Sequence, residues 1–172
     1  DVNLGSKNTN FALLVSQEFD DPFNDPNEYA YEISKLANKL SDGSVIVQKY
    51  GDIKKGRRST PKRIAEGFVK PTLKEAIPGD LGLVLPYNFM KSLIEMIEAL
   101  NHVSPGIASD HTLFYGVEAK FYSDCPVVSN DFETSIKNLY VGGDGAGITR
   151  GLAQAGANGV KIARVIIDKY SK

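Results

Sequence analysis

The chain has 172 residues, 42% of them hydrophobic, and a formal net charge of −1. That length and hydrophobic fraction suit one ordinary domain or two small ones, and the near-neutral charge argues against a general binder of polyanions. A single cysteine, Cys125, excludes an internal disulfide framework and fits a reducing compartment, so a cytoplasmic location is expected.

No run of about 18 apolar residues marks a membrane span, and no secretory leader is recognisable. The chain begins with Asp1 and not Met, and Asn3 to Asn8 reads as a mid-protein loop, so a fragment of a longer protein is expected. The continuous apolar run Phe11-Ala12-Leu13-Leu14-Val15 suits a buried strand. Asp20 to Pro26, rich in proline and aspartate, reads as a loop. From Asn27 the period becomes helical, with Tyr29, Ile33, Leu36 and Leu40 on one face and Gly43 as a stop. Val45-Ile46-Val47 opens a segment whose spacing to Tyr50 and Ile53 favours helix over strand.

Lys54, Lys55, Arg57, Arg58, Lys62 and Arg63 follow, with only Asp52 and Glu66 against them nearby. They read as a solvated loop and helix edge or, alternatively, as an anion-facing rim. Aromatic interleaving of the kind single-strand binders use is missing, which leaves nucleic acid a weak alternative. A short helix is expected at Thr72 to Ala76, then an irregular buried connection to Pro86. The stripe Phe89, Leu93, Met96, Ile97 and Leu100 predicts a helix from Tyr87 to His102. Neither His102 nor His111 has a carboxylate or cysteine at ligand spacing, so no metal site is expected.

From Thr112 to Phe121 the residues are aromatic and β-branched, and a long strand is predicted. This switch in pattern suggests two parts, residues 1–108 and 109–172, with the first part α+β in character. Ser123 to Asn130 reads as a loop, and Leu139-Tyr140-Val141 as a short strand. A last helix is predicted from Gly151 to Tyr170, small-residue-rich at its start, with Ala163, Ile166, Ile167 and Tyr170 as its core face.

Between these two elements lies Gly142-Gly143-Asp144-Gly145-Ala146-Gly147. Strand, glycine turn and helix start together let backbone N–H groups face a phosphate or a ring oxygen. The four glycines allow positive φ and put no Cβ between backbone and ligand. Asp144 can accept from sugar hydroxyls; equally, the turn can be structural, with Asp144 as its cap. Gly145, Gly147 and Gly151 also resemble a dinucleotide fingerprint, but that motif opens a βαβ unit and expects an acidic residue about 20 positions on. With one helix following it, this turn is expected to close a nucleotide-binding sheet.

Three segments resemble the C-terminal part of the uncharacterised FAD-dependent dehydrogenases, two-domain flavoproteins with a substrate domain inserted in an FAD-binding domain. Gly5-Ser6-Lys7-Asn8-Thr9-Asn10 and the apolar run after it look like the family's glycine-lysine-asparagine loop and strand. Gly116-Val117-Glu118-Ala119-Lys120, with Ser123 and Pro126, is similar to its GVE-T-R-T-S-S-P segment. Gly143-Asp144-Gly145-Ala146-Gly147, with Gly159 later, resembles its C-terminal flavin motif. The departures are Asp144 for the usual Glu, Lys120 for the usual Arg, and Phe121, Tyr122, Asp124 and Cys125 within the T-S-S-P run. The family's N-terminal G-x-G-x-x-G unit has no counterpart here.

The resemblance implies an α/β fold: an inserted substrate-type domain at 1–108, then the strand–turn–helix piece of an FAD/NAD(P)-binding three-layer domain at 109–172. It implies a parent oxidoreductase, a dehydrogenase that binds FAD and a small-molecule substrate. Asp144 would meet ribitol, and the N–H groups of Gly145, Ala146, Gly147, Gly151 and Leu152, beside Gly143, would meet pyrophosphate or a flavin carbonyl. No catalytic residue is implied within the chain, and the chain alone is not expected to retain FAD or activity. A cut sheet edge beside Leu139–Val141 would favour a dimer. The alternatives are a non-enzymatic ligand-binding or lid module, and an anion or nucleic-acid binder through Lys54–Arg63.

Overall fold

A computed structural model describes residues 5, 7–120 and 125–171, and these form five α-helices, a small three-stranded sheet and two short 3₁₀ turns. The described chain is therefore mixed α and β. It divides into two compact units, Asp1–Ala119 and Lys120–Lys172. Asp1–Leu4, Ser6, 121–124 and Lys172, which include parts of two of the resembling segments, lie outside the described residues.

In the first unit, α1 (Pro26–Leu40) begins where Asp25 accepts the N–H of Glu28 at 2.9 Å, with Pro26 in the first turn. Beyond its end, Gly43 takes a φ of 79° and returns its N–H to Asn38 at 2.8 Å. β1 (Ile46–Lys49) is the central strand: it pairs parallel with β2 (Ile77–Pro78) and antiparallel with β3 (Leu113–Gly116). The helical spacing Val45–Ile53 is thus two elements. Non-local pairing with β3 makes Ile46–Lys49 a strand, and α2 (Tyr50–Lys54) starts only at Tyr50.

α3 (Pro61–Ala65) and α4 (Tyr87–Val103) complete the unit. The core has two centres. Ala37, Ile46, Leu81 and Val84 bury together, and Tyr50, Ile53 and Ile97 form the other. Phe114 stacks on Tyr50 at 5.6 Å between ring centroids.

Several expected elements differ. Phe11–Val15 pairs with no strand and only Leu13 of it packs against the Tyr50 centre, because β1 already has both neighbours from Ile77–Pro78 and Leu113–Gly116. Thr72–Ala76 is not helical; Ala76 runs straight into β2. The long strand ends at Gly116, the register partner of Ile46, the first residue of β1. Since β3 hydrogen-bonds to β1, the compact units divide after Ala119 rather than after residue 108.

In the second unit, Leu139–Val141 is not a strand but part of a tight return. A single antiparallel bridge joins Glu133 to Tyr140, and Thr134 N–H donates to Leu139 O at 2.9 Å. No sheet edge is formed at 139–141 among the described residues. α5 (Leu152–Tyr170) lies beyond a 3₁₀ turn at Asp144–Ala146. Its inward stripe is Gly151, Ala155, Asn158, Ile162 and Val165, spaced three or four residues apart. The core face expected from sequence is on the other side: Ile166, Ile167 and Tyr170 are 36%, 59% and 61% exposed.

Candidate functional site

The glycine turn forms between Val141 and α5. Gly143 and Gly147 use φ of 78° and 67°, which an L side chain strains to adopt, while Gly142 and Gly145 do not use this region. Gly142 is required for a different reason: an added Cβ would lie 2.2 Å from Asn158 Oδ1 and 2.7 Å from Ile162 Cδ1. A Cβ on Gly143 or Gly145 would meet nothing within 4 Å, so that side of the turn is open.

Asp144 binds its own loop. Thr149 Oγ1 donates to Asp144 Oδ1 at 2.5 Å, and the Gly151 N–H donates to the same oxygen at 3.2 Å. Thr149 is buried while Asp144 is exposed. The carboxylate therefore draws the chain preceding α5 back onto the turn and leaves its second oxygen for another donor. Gln154 Oε1 accepts the Arg150 N–H at 3.2 Å, but no side chain caps the helix itself, and Leu152 is 95% exposed. The N-terminal N–H groups of a helix carry partial positive charge and favour an acceptor or anion.

Sequence reasoning missed Asn158. Its Oδ1 accepts the Gly143 N–H at 2.8 Å, and its Nδ2 is buried with no hydrogen-bond partner. The available signal was position: Asn158 is the polar member of the inward stripe of α5. Beside it opens a groove of about 650 Å³ lined by Phe132, Ile148, Thr149, Gln154, Asn158 and Lys161. Lys161 crosses to donate to Asn130 O at 2.7 Å, over the Phe132 ring. Farther along, Lys169 donates to Tyr140 Oη at 3.0 Å and Glu133 Oε1 at 3.1 Å. These bonds, that to Tyr140 first, raise the Lys169 ammonium well above its ordinary value. The Asn138 N–H and then Lys169 hold Glu133 below its own.

All seven residues proposed from sequence, Gly143 to Gly147 with Gly151 and Leu152, fall on one turn and the helix start it leads into. The basic residues of 54–63 are in the other unit and largely engaged. Lys54 pairs with Asp110 at 2.7 Å, Lys62 faces Glu66 at 3.9 Å, and Arg57 and Arg63 both approach Asp52. Among the described residues no group of three or more His, Cys, Asp or Glu side chains is placed to hold a metal ion. No helix of the described residues is long and apolar enough to cross a membrane.

No protein-family model matches the chain. An uncharacterised protein of Clostridium beijerinckii (strain ATCC 51743 / NCIMB 8052) is 29% identical over 178 residues, an alignment that covers 95% of this chain and 32% of that protein. The chain thus spans about one-third of the length of this relative.

Proposed function

We propose that the polypeptide containing this chain is an FAD-dependent oxidoreductase, and that residues 142–152 form one wall of its flavin site. The observation that carries this reading is the uncapped start of α5 beside a glycine turn with an open face. Such a surface admits a flat, oxygen-rich ring system close to backbone donors. The residues fit part of an FAD molecule. The first-turn N–H groups of α5 would donate to a flavin carbonyl or a phosphate oxygen. Asp144 would accept a ribitol hydroxyl through the oxygen it does not spend on Thr149 and Gly151. Bound FAD would supply hydride or electron transfer, and the protein would orient it. The first unit, Asp1–Ala119, is assigned on the same reading to a substrate-type domain for a small molecule.

A second reading is a ligand-binding or lid module in which the turn is purely structural. It is favoured by the two bonds that Asp144 Oδ1 makes within its own loop.

The natural polypeptide in which this chain occurs separates the two. Visible flavin absorbance, with about one FAD released per chain on denaturation, is expected for the flavoprotein. A colourless preparation that takes up no added FAD would end that reading. The 172-residue chain alone is expected to bind FAD no tighter than millimolar. One carboxylate and a few backbone donors do not offset the several kcal/mol of freedom a ligand loses.

A further inference from the structure

In the first unit the loop after α2 is anchored residue by residue, and Arg57 and Arg63 gather on one buried carboxylate. The chain leaves α2 through a Schellman motif: Gly56, at a φ of 58°, donates its N–H to Ile53 O at 2.9 Å, and the Arg57 N–H donates to Asp52 O at 3.1 Å. This reversal brings Arg57 back toward the helix it has left, where its Nε donates to Asp52 Oδ1 at 2.7 Å. Arg63 Nε lies 4.0 Å from the same oxygen, and Arg63 Nη1 donates to Arg58 O at 2.9 Å.

The support beneath is buried. Asp52 is 3% exposed, and its Oδ2 accepts from Ser59 Oγ at 2.7 Å. Ser59 Oγ accepts the Lys49 N–H at 2.9 Å, and the Ser59 N–H donates to Gly79 O at 2.9 Å. Gln48, itself buried, holds Arg57 O through Nε2 at 2.9 Å. Lys49 Nζ donates to Arg63 O at 3.3 Å.

One carboxylate faces two guanidiniums, so positive charge is left over, and Lys49, which reaches Arg63 O, adds to it. Asp52 holds Arg57 through Nε, which leaves the Nη donors of that guanidinium for another acceptor. Arg57 and Arg63 remain 46% and 36% exposed. Ordering two arginines usually costs rotamer freedom when a ligand arrives; here the fold has already imposed much of that order. We propose that Arg57 and Arg63 bind a single oxyanion, the carboxylate or phosphate group of a small molecule. Guanidinium forks match the planar pair of oxygens that both groups present. A nucleic-acid track is less favoured, because Lys54 and Lys62 on either side are met by Asp110 and Glu66. The inference is independent of the flavin reading.

Arginine Nε–Hε resonances of the chain, titrated with inorganic phosphate, acetate and a short oligothymidylate, test it. Saturable shifts confined to Arg57 and Arg63 with phosphate assign a phosphate group; the same with acetate assigns a carboxylate. Either supports the site. Shifts with the oligonucleotide only, lost steeply as salt rises, would overturn it in favour of a polyanion surface. No saturable shift with any probe would overturn it outright. Arg57→Gln and Arg63→Gln should each weaken binding about tenfold or more. Lys39→Gln, the same charge change on α1, should weaken it less than about twofold. Should the arginine variants unfold, the wild-type resonances alone decide.

Discussion

Asn158 Oδ1 accepts the N–H of Gly143 at 2.8 Å across the space that a methyl group on Gly142 would fill. The hydrogen bond and the missing Cβ are one device. The turn sits this close to α5 only because residue 142 has no side chain.

Gly142→Ala therefore forces the turn off the helix. A cost of about 1–3 kcal/mol is expected, as for other insertions into closely packed sites. Gly145→Ala, which meets nothing within 4 Å and needs no positive φ, should stay within about 0.5 kcal/mol of wild type. Urea unfolding followed by far-ultraviolet circular dichroism compares the two; equal effects would show that the contact with Asn158 carries no stability.

Asp144→Ala removes the acceptor shared by Thr149 and Gly151. A loss of about 1 kcal/mol is expected, in the range of a helix cap. Asp144→Asn keeps an acceptor and should recover most of it. If the flavoprotein proposal holds, the alanine variant of the natural polypeptide should also bind FAD more weakly, by about 1.5–3 kcal/mol of charge-assisted hydrogen bonding. Flavin retention measured by ultrafiltration at matched fold stability separates the two effects.

Burial alone would raise the Asp52 carboxyl, but hydrogen bonds from Ser59 and Arg57 and the charges of Arg57 and Arg63 outweigh it and hold it below its ordinary value of 3.8. A depressed folded value stabilises the fold above the unfolded value, and that stability is lost as pH falls through the folded one. The thermal midpoint should thus decline below about pH 4, and Asp52→Asn should flatten that decline while costing about 1–3 kcal/mol at neutral pH. An unchanged acid limb in the variant would remove Asp52 from the explanation.

Burial first, and then the hydrogen bond to Glu98 and its charge, push the Tyr50 phenol well above its ordinary 10.0. The folded value is the higher one, so its contribution is complete below pH 10.0 and is lost as pH rises through the folded value. An ultraviolet titration should show a late step from Tyr50. Tyr50→Phe should remove that step and cost about 1 kcal/mol at neutral pH.

The three long helices were the legible part of the fold, since their signal is local. Tyr29, Ile33, Leu36 and Leu40 located α1, although Ala37 is its buried residue and Leu36 and Leu40 are 41% and 44% exposed. Of the strands only β3 was legible, inside the longer run Thr112–Phe121. Ile46–Lys49 carries no pattern of its own and becomes a strand by pairing with residues about 30 and 66 positions later. At the candidate site the turn could be read from its glycines, because two of them take a φ that other residues avoid. The partner of the turn, Asn158, could not, because a polar residue inside a helix announces no direction until the helix is packed. The arginine cluster was visible as charge, but its focus on Asp52 depends on the reversal at Gly56.

Helices ordinarily fray from their ends, where intrahelical bonds run out. In α5 both ends are tied: Gly151 to Asp144 at the start, and Lys169 to Glu133 and Tyr140 in the last turn. The middle holds Gly156 and Gly159, each facing open space and each costing about 1 kcal/mol relative to alanine. Among the hydrogen-bonded amides of α5, from Ala155 onward, exchange should accordingly be fastest near Gly156 to Val160 and slower toward Ile167. The helix would open as a bubble at its centre and close from the two ends inward.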